Sequence, residues 1–160
     1  MNNSVVNPGE RIRLQLQGDE LVLMALTDGE TEPGVAGSLR KLRQVLGQEM
    51  LTAATLERAM TEAEDLLMPL LQTLPPRTEL EVHGAELAEV FHLLAACDGS
   101  VVSLEAVEDL FHQLAAHTSG SPVAWRHAAS PDTVALGLVM LRETMHHGGF
   151  RSVFWLLQVE

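Results

Sequence analysis

The sequence predicts an α+β fold, in which an N-terminal β-hairpin belongs to a small, mostly antiparallel sheet packed against four to five helices. Three observations lead to this prediction. Residues 11–17 alternate strictly between polar and apolar side chains, several later segments repeat apolar residues at helical spacing, and strands and helices do not alternate regularly. Residues 10–160 are therefore predicted to form a single α+β domain, after a flexible N-terminus at residues 1–9.

The hairpin is the clearest local element. Ile12, Leu14 and Leu16 fall on one face of the first strand, and polar side chains fall on the other. Gly18-Asp19 places glycine first, which suits a two-residue type II′ turn. Residues 20–26 are therefore predicted to return as the second strand of the hairpin.

Five helices are predicted from capping residues and from apolar spacing. They are residues 39–46 after the cap Ser38, a longer helix capped by Thr52, residues 85–96, a helix capped by Ser103, and a helix from Pro131 to about His146. The last helix is apolar nearly all round and is expected to be central. Pro69 is expected to break the longer helix and to begin a fresh turn as its first residue, with a kink near Leu67, because proline removes a backbone donor and its ring clashes with the preceding turn.

Two further segments read as extended. Residues 78–83 follow Pro75-Pro76 and are predicted to form a strand, and a glycine then leads into the next helix. Residues 150–159 follow Gly148-Gly149 and are predicted to form a strand, with a short helix as the alternative.

Composition limits the classes of partner. Acidic residues outnumber basic ones 22 to 10, which gives a net charge of −12. Such a field repels nucleic-acid phosphates and anionic membrane surfaces, so neither is expected as a direct partner. The longest apolar run, residues 134–141, is too short to span a bilayer. A single cysteine, Cys97, and the lack of a secretory signal pattern predict a cytoplasmic protein.

The histidines are the candidates for metal chemistry. Glu-x-x-His occurs twice, as Glu89–His92 and as Glu143–His146, and this spacing recurs in di-iron helical bundles. Solvated side chains are nevertheless the favoured interpretation, because the first pair lies opposite its helix's apolar face and the second lies near a helix end. Glu143, His146 and His147 are kept as metal candidates, although imidazoles near a helix C-terminus are also stabilised by its dipole. No catalytic residues and no cofactor are expected.

Two surfaces are predicted to bind a partner. Arg40, Lys41 and Arg43 form the only dense basic spot in this acidic chain. Trp125 and Arg126 combine two residue types that are enriched at binding hot spots. The expected partner is another protein, and a homodimer is possible through the apolar C-terminal run.

These observations favour a non-catalytic, acidic, cytoplasmic protein-binding protein: an adaptor, a dedicated chaperone or an assembly factor. Two alternatives stay open. One is a small metal-handling or accessory enzyme that uses the C-terminal histidines, and the other is a transcription-associated regulatory module. The favoured hypothesis requires the carboxylates and imidazoles to face water around an apolar interior.

Overall fold

A computed structural model describes residues 11–27, 30–31, 34–47, 51–74, 79–96, 99–118 and 131–156. The strands are β1 Arg11–Gln17, β2 Glu20–Thr27, β3 Glu30–Thr31, β4 Val35–Ser38, β5 Glu79–His83, β6 Val101–Ser103 and β7 Ser152–Trp155. The helices are α1 Arg40–Leu46, α2 Ala53–Gln72, α3 Ala85–Leu93, α4 Leu104–Thr118 and α5 Pro131–Gly148. The predicted α+β class and the predicted hairpin are confirmed.

The strands form one mixed sheet in the order β3-β2-β1-β5-β7-β6, and β4 also pairs with β2. The hairpin and the outer pairings are antiparallel. The pairings of β5 with β1 and with β7 are parallel. Because β4 and β1 both run antiparallel to β2, the strands β4, β1, β5 and β7 all end on the same side of the sheet, here named the carboxyl edge.

One face of the sheet carries the core. Alternate residues of β1, β2, β5 and β7, and Val102 of β6, are buried in this core, and α5 contacts α1, α2, α3 and α4. Its residues 134–141 are buried all round, as their apolar sequence predicts. The stacked rings of Phe91 and Trp155, with centroids 5.0 Å apart, link α3 to β7 within this core.

The other face of the sheet is named the outer face here. Its side chains are half-buried or exposed for the most part, and they are polar on β1 and β5. They include Arg11, Arg13, Gln15 and Gln17 on β1, Glu79, Glu81 and His83 on β5, Val22 and Met24 on β2, and Phe154 on β7.

Pro69 is where the local prediction fails most clearly. The structure keeps α2 continuous from Ala53 to Gln72 with Pro69 inside its last turns. Pro69 itself is exposed, whereas Leu67 and Leu71 on either side are buried in the core. Burial of these leucines offsets the lost backbone hydrogen bond, so the helix passes through the proline.

Short strands were also missed. β3 and β4 follow the hairpin and β6 precedes α4, in segments for which the sequence predicts no strand. Strands of two to four residues leave little periodicity to read, and their pairing partners lie elsewhere in the chain. The caps Thr52 and Ser103 are confirmed, since their side chains accept hydrogen bonds from the backbone of Thr55 and Ala106.

Some predictions lie outside the described residues. They include the N-terminal residues 1–9, Cys97, and the predicted partner-binding residues Trp125 and Arg126. Among the residues that the structure does describe, no helix is both long enough and apolar enough to cross a membrane.

Candidate functional site

At the carboxyl edge, the turn between β1 and β2 contacts the start of α1. The backbone N–H of Leu39, just before α1, donates to the carbonyl of Asp19 in the hairpin turn at 2.7 Å. Arg43 of α1 pairs with the Asp19 carboxylate at 2.9 Å and also donates to the carbonyl of Gly18. Open sheets of this kind bind ligands beyond the carboxyl ends of their parallel strands, so this edge is the first place to look for a site.

An open hollow of about 560 Å³ lies at this edge. It is lined by Gln17, Asp19, Glu20, Ala36, Gly37 and Ser38. Glu20 pairs with Gln17 on one side and with Ser38 on the other, so three polar side chains stand in a row across β1, β2 and β4. The hollow therefore offers a hydroxyl, an amide and two carboxylates to a polar ligand.

The β5–α3 turn is held by one glycine. Gly84 has φ of 133°, and a Cβ added there would lie 2.5 Å from the carbonyl oxygen of Leu16. Only glycine fits this backbone and this close approach. The turn is therefore fixed against the end of β1, and α3 begins directly after it, so the positive end of the α3 helix dipole lies at the carboxyl edge.

A charged group, named the Glu81 cluster here, covers the centre of the outer face. It comprises Arg11, Arg13, Glu79, Glu81 and His83. Glu81 is only 3% exposed and accepts from Arg13 Nε at 2.6 Å, from His83 Nε2 at 3.0 Å and from Arg11 at 3.4 Å. Arg11 also pairs with Glu79 at 3.0 Å. Two strands that are distant in sequence thus meet through a single buried carboxylate.

The buried carboxylate of Glu81 stays ionised. Burial alone would raise its pKa, but the hydrogen bonds from His83 and Arg13 and the positive charge of Arg13 outweigh burial and lower the pKa from 4.5 to about 2. An ionised carboxylate can only accept, so the Nε2 of His83 carries the proton of their shared hydrogen bond.

A second group, the Glu143 cluster, joins α4 to α5. Glu143 is 3% exposed and accepts from Arg142 at 2.9 Å and from His147 Nε2 at 2.9 Å. Arg142 also pairs with Glu108 of α4 at 3.0 Å, and its guanidinium lies 4.4 Å from the ring centroid of Phe111. These contacts tie α4 to α5.

The expectation that Glu143 is solvated is wrong. Its helix continues to Gly148, so Glu143 lies more than a turn before the end, where Arg142 and His147 cover it. The contact runs to His147, four residues on, and not to His146, which is exposed. The described residues contain no group of three or more His, Cys, Asp or Glu side chains placed to hold a metal ion.

The predicted basic spot lies at the carboxyl edge. Arg40 and Lys41 are exposed at the start of α1, while Arg43 is half-buried in its contacts with the hairpin turn. The topology places α1 there, because α1 follows β4 directly and β4 ends at this edge.

Sequence reasoning missed Glu81 and His83. A signal was present, because Arg11 and Arg13 alternate with apolar residues in one strand as Glu79, Glu81 and His83 do in another. That pattern shows two faces in each strand. It does not show that β1 and β5 are neighbours in the register that pairs Arg13 with Glu81.

No family model matches the sequence, and no curated protein matches it significantly. Its fold, however, is similar to solved structures. The Aquifex aeolicus PPX-GPPA enzyme matches with a TM-score of 0.73 at 11% identity, over 96% of this chain and 55% of that chain. An exopolyphosphatase-like protein gives 0.70 at 13% identity, over 98% and 57% of the two chains. An exopolyphosphatase from Cytophaga hutchinsonii gives 0.68 at 12% identity, over 94% and 54%.

These similarities overturn the functional hypothesis. The chain spans just over half the length of the matched structures, and nearly all of it shares their fold. Their names are those of phosphatases and exopolyphosphatases, so the prediction of a non-catalytic adaptor, dedicated chaperone or assembly factor is wrong. That prediction rested on polar groups facing water, whereas Glu81 and Glu143 are buried and paired.

Proposed function

We propose that this chain is one lobe of a hydrolase that cleaves phosphoanhydride bonds in linear phosphate chains. The observation that carries the proposal is the fold similarity over 96% of the chain, at a TM-score of 0.73, to an enzyme of the PPX-GPPA kind. Polyphosphate is the substrate class that the names of the exopolyphosphatases imply. A cytoplasmic location belongs to the same proposal.

The proposed binding site is the carboxyl edge. A chain with net charge −12 can hold a polyanion only where its cations are concentrated. Arg40 and Lys41 are exposed at this edge, and the first turn of α3 lies beyond Gly84 at the same edge. Guanidinium, ammonium and helix N–H groups are the usual partners of phosphate oxygens.

The spacing of these groups favours an extended substrate over a single phosphate. The start of α1 follows β4 and the start of α3 follows β5, and β2 and β1 lie between those two strands. Three inter-strand spacings of about 4.8 Å separate the two positions by roughly 14 Å. A phosphate chain of several units covers that distance, whereas inorganic phosphate covers only one end of it.

The enzyme in this proposal contains a further unit, because this chain covers only 55% of the matched enzyme. The described residues supply a binding edge, and the second unit supplies the remaining catalytic groups. We propose another protein segment or a second copy of this chain as that unit, in keeping with the predicted protein partner. The basic spot Arg40, Lys41 and Arg43 then serves the substrate and the junction together.

Calorimetric titration of the purified protein with tripolyphosphate and with inorganic phosphate tests the proposal. Tripolyphosphate is expected to bind more tightly, and the double variant Arg40→Glu, Lys41→Glu should weaken it by at least tenfold, because two charge-assisted contacts become repulsive. The matched control is Arg58→Glu, Arg151→Glu, which makes the same charge change at exposed positions on α2 and before β7. Equal losses in both variants, or no binding by the wild type, would contradict the proposed site.

A direct assay for phosphate released from polyphosphate tests the reaction itself. Release by the wild type should fall in the Arg40→Glu, Lys41→Glu variant and persist in the control. The oligomeric states of the protein are separated and identified by light scattering, and each is assayed. If every one binds polyphosphate and none hydrolyses it, the chain is a polyphosphate-binding protein and the proposed hydrolase activity is contradicted.

A further inference from the structure

We propose that His83 binds a phosphate oxygen of the substrate through its Nδ1, as an imidazolium whose Nε2–H is held by Glu81. The inference rests on the proposed function and adds a residue to the same site. His83 would be a substrate-binding residue and Glu81 the residue that positions it.

The position of His83 is the first argument. His83 is the last residue of β5, and the Gly84 turn fixes it against the end of β1 at the carboxyl edge. Its side chain is on the outer face beside Gln15, and 12% of it is exposed. A ligand that lies along the edge therefore passes next to this imidazole.

The hydrogen bonding of the ring is the second argument. Nε2 is committed to a carboxylate that is buried and is itself held by Arg13 at 2.6 Å. This leaves Nδ1 as the ring nitrogen for a ligand. When the ring is protonated, Nδ1 carries a proton and donates a charge-assisted hydrogen bond to an anion.

The charge of the cluster is the third argument. Besides His83, the cluster holds two arginines on β1 and two glutamates on β5, and β7 contributes the neutral Phe154, so these four charges cancel. Protonation of His83 turns the cluster into a local cation on an acidic chain. An anion should therefore bind more tightly to the protein with a protonated His83 than to the protein with a neutral one.

The test is calorimetry with tripolyphosphate from pH 5.5 to pH 8.5, at constant ionic strength, on wild type, His83→Gln and Glu81→Gln. Terminal phosphates also titrate near pH 6, so the difference between proteins at each pH isolates the imidazole. From pH 5.5 to pH 8.5, the affinity of the wild type for tripolyphosphate is expected to fall by a factor roughly tenfold larger than the affinity of His83→Gln does. Glu81→Gln should lose part of the pH dependence, and the exposed control His112→Gln should keep all of it.

The possible results separate the two proposals. Tripolyphosphate binding with the same pH dependence in wild type and His83→Gln overturns the role of His83 and leaves the proposed function standing. No binding by the wild type at any pH overturns both. If the variants do not fold, ¹⁵N spectra of the histidines in the wild-type protein provide the test. Added tripolyphosphate is expected to extend the protonated form of His83 to higher pH, and to do so more than for the other six histidines. An unchanged His83 signal overturns the inference.

Discussion

The Glu81 cluster and the Glu143 cluster are built from the same three kinds of side chain. In each, a glutamate that is 3% exposed accepts hydrogen bonds from arginine and from one histidine, with two arginines at Glu81 and one at Glu143. On the strand the histidine is two residues after the glutamate, and on the helix it is four residues after it. Both spacings place the pair on one face of its element.

The clusters differ in what they join. Arg13 comes to Glu81 from 68 residues away, and the cluster ends at the carboxyl edge where a ligand can reach it. Arg142 and His147 come to Glu143 from the same helix, and Glu108 and Phe111 of α4 reach the cluster through Arg142. The comparison teaches that identical chemistry serves a site in one place and a helix–helix contact in the other.

The largest difference in stability between the two clusters is expected when the glycine that follows each of them is replaced by alanine. Gly84→Ala should lower the free energy of unfolding by about 3 kcal/mol, because a side chain at φ 133° would also strike the Leu16 carbonyl. Gly149→Ala, at φ 72° with open space around it, should lose only about 1 kcal/mol. Urea denaturation measures both. Similar losses would mean that the turn after the Glu81 cluster is not specially constrained.

The carboxylates themselves come next. Glu81→Gln should lower the free energy of unfolding by about 2 kcal/mol, because two arginines and a histidine lose the ionised acceptor that they share. Glu143→Gln should cost about 1 kcal/mol, because Arg142 keeps its contact with Glu108. The two unfolding curves, recorded side by side at pH 7, check the order. A larger loss at Glu143 would reverse the comparison.

The contribution of Glu81 to the free energy of unfolding is expected to depend on pH. The folded-state pKa of Glu81, about 2, lies below its ordinary value of 4.5. The stabilisation is therefore complete above about pH 4.5 and is lost as the pH falls toward 2. The difference in unfolding free energy between wild type and Glu81→Gln should shrink over this range. A difference that stays constant over this range would mean that the neighbouring arginine and histidine do not lower the pKa of Glu81.

The smallest effect is expected for the helical imidazole. A double-mutant cycle with His147→Gln and Glu143→Gln should give a coupling of about 0.5 kcal/mol at pH 7, because His147 is 20% exposed and the pair lies within one helix. The corresponding cycle for His83 and Glu81 should give more, because His83 is the less exposed histidine of the two. Equal couplings would show that burial does not separate the two clusters.

Much of the fold could be predicted from local pattern. The alternation around Ile12, the cap at Thr52 and the apolar circumference of α5 each act over a few residues, so the sequence shows them directly. The short strands β4 and β6 could not be predicted in that way, because pairing with distant strands stabilises them. Pro69 shows the same override, since core packing on both sides of it maintains the helix.

The candidate site was only half visible. Arg40, Lys41 and Arg43 stood out as a basic spot, but their place at the carboxyl edge depends on the direction of β4. The sequence offers Glu143, His146 and His147 as metal candidates. In the structure, Arg142 binds the Glu143 carboxylate and also pairs with Glu108 of α4. Trp125 and Arg126 stay predictions.

The sequence by itself determined the faces of the elements: which side of each strand is apolar, where most helices begin, and that α5 would be central. Only the tertiary structure decided that β1 and β5 lie side by side in the register that joins Arg13 to Glu81, and that His83 stands at the edge where the parallel strands end. The physical reason is range. Periodicity and capping are set by neighbours within a turn or two, whereas the burial and ionisation of Glu81 depend on a strand 68 residues away.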